Sequence, residues 1–118
     1  VRRWTARWLV KVRAAFREQD RDALGLTCGY DYEVLGLEAD RYRLIDDDGR
    51  PCLFRSDLFE VVDATRPAHW FTQKRSYGEF VYAPELSTPH FFERFFDSDE
   101  EATRVFYRYL NRHMRLTD

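Results

Sequence analysis

The hydrophobic period of this chain changes at Pro67, which dictates a mixed fold: a first half buried through alternate residues and a second half buried along helical stripes. Before Pro67, Trp8, Val10 and Val12 alternate with Arg7, Lys11 and Arg13. Tyr32 and Val34 do the same with Asp31 and Glu33, and Tyr42 and Leu44 with Arg41 and Arg43. Successive side chains of a strand point to opposite faces, so each run reads as a half-buried antiparallel strand. Asp46-Asp47-Asp48-Gly49 reads as a solvated hairpin turn, its Gly supplying the positive φ that a tight turn needs. Pro51 opens a short strand through Phe54, Ser56-Asp57 marks another turn, and the run Leu58 to Val62 closes with β-branched residues at its centre. Five short strands over residues 7–64 predict a small antiparallel barrel, with Tyr32, Val34, Tyr42, Leu44, Phe59 and Val61 pointing into one core.

Residues 65–87, which hold Trp70, Phe71, Tyr77, Phe80 and Tyr82, read as an irregular aromatic link. Thr88 followed by Pro89 is an N-cap and first-turn signal, and Phe91, Phe92, Phe95 and Phe96 then recur at helical spacing. Ser98 with Glu101 is a capping-box candidate for a second helix whose apolar face is Ala102, Val105, Phe106, Tyr109, Leu110 and His113. Burying one Phe stabilises by roughly 1.5 to 3 kcal/mol, so both helices of this 88–118 extension are expected to dock on the barrel or on each other. The whole of residues 1–118 then forms a single α+β domain.

The stretch from Leu26 to Asp63, reading LTCGYDYEVLGLEADRYRLIDDDGRPCLFRSDLFEVVD, resembles the SH3-like small barrels of short, uncharacterised bacterial proteins over about a third of the chain. The resemblance rests on a Leu-Thr-x-Gly start, a Tyr-Arg strand ending in an acidic Gly hairpin, and a closing Phe-Glu-Val-Val strand. It implies the barrel fold and is nearly silent on activity, because such barrels host many functions. Cys28-Gly29-Tyr30-Asp31-Tyr32 is also similar to the Ala-Leu-Tyr-Asp-Tyr motif of eukaryotic SH3 domains, and Ser56-Asp57-Leu58-Phe59 to their Ser-Asn-Tyr-Val turn. Leu58 replaces the tyrosine of that turn, and the tandem Trp pair that walls a proline groove is missing, so proline-rich ligands are not expected.

Composition narrows the function classes. With 19 Lys and Arg against 21 Asp and Glu, a net charge of -2 supplies no global field for nucleic acid or an anionic membrane. No apolar run approaches the roughly 20 residues of a membrane span, and Arg2-Arg3-Trp4 is not followed by a signal-type apolar core, so a cytoplasmic protein without membrane contact is expected. Cys28 and Cys52 lack paired zinc spacing and read as reduced thiols rather than nucleophiles served by His69, His90 or His113. His90 with Glu93 is a single copy of a metal-ligand spacing, the acids at 46–48 lack calcium-loop spacing, and the glycines form no phosphate loop. No metal, cofactor or catalytic residue is therefore expected, and the chain reads as a non-enzyme.

What remains is aromatic surplus. Twelve aromatic residues in the link and helices, with Trp4 and Trp8 near the start, exceed what so small a core absorbs, so some are expected at the surface as protein-binding anchors, with Trp70, Phe71 and Tyr77 foremost. The leading expectation is a protein-interaction module with another protein as partner, by analogy a small bacterial inhibitor or immunity-like protein. The rival is a nucleic-acid-binding adaptor using Arg104, Arg108, Arg112 and Arg115, which step along the last helix opposite its apolar stripe.

Overall fold

A computed structural model of the chain describes residues 7–13 and 25–114. The alternating half forms β1 (Trp8–Val12), β2 (Asp31–Glu38), β3 (Arg41–Ile45), β4 (Pro51–Arg55) and β5 (Phe59–Ala64), with a single 3-10 turn at Ser56–Leu58. The strands pair antiparallel in the order β4-β3-β2-β1-β5, a meander whose fifth strand returns to the first. The link expected over 65–87 is instead largely a hairpin, β6 (Phe71–Arg75) and β7 (Gly78–Tyr82), followed by a 3-10 turn at Pro84–Leu86. Its β7 pairs with Gly36, Leu37 and Glu38 of β2, on the edge of β2 opposite β3, next to where β1 holds residues 31–33. The result is a seven-stranded sheet that is not closed, hairpin β6–β7 adding two strands to the five expected from the sequence.

Two glycine positions fix the hairpin against β2. A Cβ at Gly36 would lie 2.2 Å from the ring of Tyr82, so only glycine lets that ring lie across the strand. Gly78, at φ 137°, abuts Ala39 of the β2–β3 turn, whose backbone N–H donates to the Glu79 carbonyl at 2.8 Å. Register also slips at Leu35, between Val34 and Gly36, so Val34, Leu35 and Gly36 are consecutively buried. A bulge of this kind bends β2 enough to serve two neighbours on one edge.

Two helices follow, α1 (Phe91–Phe96) and α2 (Glu100–Tyr109), the latter continued by a wider π turn over Leu110–Met114, and one hydrophobic cluster takes residues from β1–β5, β7 and both helices. Mixed α and β elements on one hydrophobic cluster confirm the α+β class. Tyr32, Val34, Leu44 and Phe59 are buried as expected, and Tyr42 is half-buried against Trp8 and Phe59. Val61 is a correction: it is 48% exposed. The β1–β5 register steps from Leu9↔Asp63 to Val10↔Val61, leaving Val62 as a bulge at the sheet edge, and the core ends before reaching it.

Helix starts are shifted from expectation. His90 rather than Thr88 precedes the first helical residue of α1, and Ser98 belongs to the end of α1 rather than to the cap of α2. Ser98 takes a left-handed φ of 65° while the N–H of Asp99 bonds the Arg94 carbonyl and that of Ser98 the Phe95 carbonyl, a Schellman stop with serine in the usual glycine position. Asp99 then caps α2, its Oδ1 accepting from the Ala102 N–H at 2.9 Å. The acidic run at 46–48 is not a uniformly solvated tip either. Asp46 is buried, and its Oδ1 accepts from the N–H groups of Asp48 and Arg50. Asp47 accepts from the hydroxyls of Thr27 and Tyr32, both at 2.6 Å, binding the loop before β2 to the β3–β4 turn.

Candidate functional site

Hairpin β6–β7 and the segment entering α1 enclose a cleft of about 700 Å³. Strand alternation sends Gln73 and Arg75 from β6 and Phe80 and Tyr82 from β7 to this side, while Phe92 of α1 faces them. At its base sits Arg43, which the period-two reading of β3 places in solvent. The later half of the chain covers the outer face of β3 there and buries it. Its guanidinium lies 4.1 Å from the Phe92 ring centroid, and its edge donates to the Tyr82 hydroxyl at 3.1 Å, the Pro51 carbonyl at 3.0 Å and Glu38 Oε2 at 2.9 Å. The Tyr82 hydroxyl in turn donates to the same Glu38 oxygen, and burial holds its proton well above the usual phenol range. Charge, hydroxyl and carboxylate thus satisfy one another, which makes the base of the cleft a fixed floor.

The mouth differs. Tyr77, on the hairpin turn, is 62% exposed and meets Phe80 edge-on at 5.5 Å, while the Arg75 guanidinium lies over the Phe80 ring, 4.3 Å from its centroid. Arg75 also donates to Gln73 Oε1 at 3.0 Å. Among the hydroxyls along the cleft, Ser87 donates to the Ala83 carbonyl and Thr88 accepts from Arg94. Both hold local backbone or helix geometry. The arrangement offers exposed rings, a stacked cation and a rigid polar base, which are the materials of recognition.

The sequence-based protein-binding set divides here. Phe71 and Tyr77 are exposed on the hairpin. Trp70 is only 8% exposed and is a core residue, its indole N–H directed to the Tyr109 hydroxyl at 3.4 Å. Sequence shows it as an aromatic but not as a buried one, because what buries it, Tyr109, lies 39 residues away. In the other set, Arg104, Arg108 and Arg112 are exposed on the last helix. The π turn breaks their four-residue step, so Arg112 is displaced from the line of the other two, and Arg115 lies outside the described residues. His90 and Glu93 form an exposed pair at 3.3 Å, and among the described residues no group of three or more His, Cys, Asp or Glu is arranged to hold a metal. Cys28 is exposed. Burial and the adjacent Asp46 push the Cys52 thiol up, away from reactivity. Among the described residues no helix is long and apolar enough to cross a membrane.

Sequence reasoning missed a second polar cluster, where Tyr109 meets the segment before β6. The Tyr109 hydroxyl lies 2.9 Å from His69 Nε2, and the His69 ring stacks on His113 with centroids 4.2 Å apart. Burial first, and His113 second, depress the His69 pKa, against a smaller upward pull from Glu85. Glu33 of β2, in the field of the same tyrosine, is pushed by burial to about 7, although Arg7 stands 3.7 Å away. The two shifts act oppositely on stability. Between its ordinary 4.5 and about 7, folded Glu33 keeps a proton that the unfolded chain has released, so its contribution is full below 4.5 and is lost as pH rises through 7. His69 contributes fully above its ordinary 6.5 and loses that contribution as pH falls toward its lower folded value. Glu33→Gln is therefore expected to gain stability relative to the unaltered chain as pH rises from 4.5 past 7, read as the difference in urea midpoints. A difference constant across this range would contradict the assignment.

Comparison with protein-family models, with curated proteins and with solved structures finds no match to this chain.

Proposed function

We propose that the protein is a non-enzymatic protein-interaction module and that hairpin β6–β7 presents its partner-binding face. The observation that carries this reading is Tyr77: a large aromatic side chain, 62% exposed, held in place by Phe80 at the mouth of a cleft whose base is rigid. Tyrosine and arginine are the residue types that dominate binding energy at interfaces, and Arg75 stands beside it on the same ring pair. Phe71 extends the exposed face, and Trp70 acts beneath it as support. We further infer an SH3-like barrel for β1–β5; the strand order β4-β3-β2-β1-β5 supports it, and β6–β7 is then an added hairpin that builds the binding face. The alternative, a nucleic-acid adaptor, draws on exposed Arg104, Arg108 and Arg112, but a chain of net charge -2 gives such a site a weak and easily screened field.

A photo-crosslinking residue at position 77, expressed in the native host, tests the reading. It is expected to capture a discrete protein that the same group at exposed Tyr30 does not. Tyr77→Ala should weaken binding of that protein by about tenfold or more without moving the thermal midpoint. Equal labelling from both positions would argue against the hairpin face.

A further inference from the structure

The helices frame a second concave surface that the hairpin reading leaves unused. The Schellman stop at Ser98 turns α2 back beside α1 and leaves a groove of about 650 Å³ at their junction. Phe95 forms its floor, 5.5 Å from Phe96 and 6.2 Å from Tyr107 between ring centroids. That floor is anchored, because Phe95 packs at 4.7 Å on fully buried Phe106. Phe96 and Tyr107 are by contrast 46% and 49% exposed. Two half-solvated rings beside a fixed apolar base expose more hydrophobic surface than the helices need for their own packing.

Charge singles out what would cover it. Arg50 and Arg104 line the groove, with Glu100 as the acid among its lining residues. Arg50 lies 3.6 Å from Asp48 and 3.7 Å from Asp46, and Arg94 of α1 is engaged by Asp99 and Glu101. Arg104, and Arg108 one turn on, pair with no carboxylate among the described residues. A chain with a net charge of -2 thus sets a cation unpaired among the described residues, Arg104, on the wall of its apolar groove, with Arg108 one turn beyond. A continuous phosphate backbone following these arginines would also meet Glu100 and the acids of the β3–β4 turn. A polypeptide, with carboxylates spaced by neutral residues, avoids that repulsion.

We propose that the α1–α2 groove docks an acidic protein segment, which buries an apolar side chain over Phe95, flanked by Phe96 and Tyr107, and sets a carboxylate against Arg104. This surface is separate from the hairpin face and does not depend on it.

The test is selection of phage-displayed random peptides on the full chain, followed by fluorescence anisotropy of the resynthesised winners. Selected peptides are expected to carry Asp or Glu near Phe, Leu or Trp. Arg104→Glu and Tyr107→Ala, both at exposed positions, should each weaken their binding by about tenfold or more, with thermal midpoints confirming the fold. Salt raised from about 50 to about 500 mM should weaken it several-fold. Tyr77→Ala should leave it unchanged, so failure of the groove and failure of the hairpin face are read separately. The proposal is overturned by failure to enrich any peptide, by winners without acids, or by binding indifferent to both groove variants. It is equally overturned if a single-stranded DNA oligonucleotide binds more tightly than any winner and loses that affinity with Arg104→Glu.

Discussion

Phe106→Ala is expected to cost about 4 kcal/mol, enough to lower the thermal midpoint by roughly 15 °C. Phe106 is fully buried, and its ring is surrounded by Phe95 at 4.7 Å, Tyr107 at 5.3 Å and Phe92 at 6.4 Å. Truncation removes the ring's transfer energy and leaves a void that its neighbours cannot readily fill. Phe92 is held under the Arg43 guanidinium, and Phe95 sits in a six-residue helix closed by the Schellman stop. Urea denaturation followed by far-UV circular dichroism measures the loss, with Tyr107→Ala, one residue on and half exposed, expected to cost under about 1 kcal/mol. A Phe106→Ala cost below about 1.5 kcal/mol would show that the helix pair is not part of the cooperative core.

The same residues explain what was legible. Phe106 is found by periodicity because a helix buries one stripe, and the stripe of Ala102, Phe106 and Tyr109 recurs at three and four residues. Strands β1 and β2 are found because apolar residues alternate with charged ones along them, and β4 is marked by Pro51 at its start. The β6–β7 hairpin escapes this logic. Along Phe71 to Phe80 both faces are largely exposed or half exposed, so no contrast marks a strand, and only Val81 and Tyr82 are buried. Gly78 ahead of the Phe80-Val81-Tyr82 run is the local signal, and its tight packing on Ala39 is a tertiary fact. Arg43 failed for a related reason: alternation assigns a side chain to a face of its strand, whereas burial of that face depends on elements that arrive forty residues later. Gly36 in the middle of β2 was the available hint that something approaches closely there. The groove was invisible because Phe95 and Phe96 are identical in sequence terms, and only the position of α2 makes one a floor and the other a rim.

Glu38→Leu is expected to cost about 3 kcal/mol, more than its exposed hydrogen-bonding capacity alone would suggest, because it strands Arg43 as a buried charge. The figure is at the low end for a broken buried pair since the Glu38 side chain keeps 18% of its surface in water. Arg43 would retain the Pro51 carbonyl and the Tyr82 hydroxyl, neither of which carries a compensating charge. Adding Arg43→Met should therefore recover part of the loss, because an unpaired cation is replaced by a flexible apolar side chain that still packs on Phe92. Recovery should remain incomplete while the Tyr82 hydroxyl has lost both partners in the cluster, a buried donor costing about 1 to 3 kcal/mol when unsatisfied. Adding Tyr82→Phe should then raise stability again, so that each successive change after the first is favourable. Urea midpoints of the single, double and triple variants test that order. A single Glu38→Leu change costing less than about 1 kcal/mol would instead mean that Arg43 reaches water through the cleft, turning the cleft base from a fixed floor into an open cationic subsite.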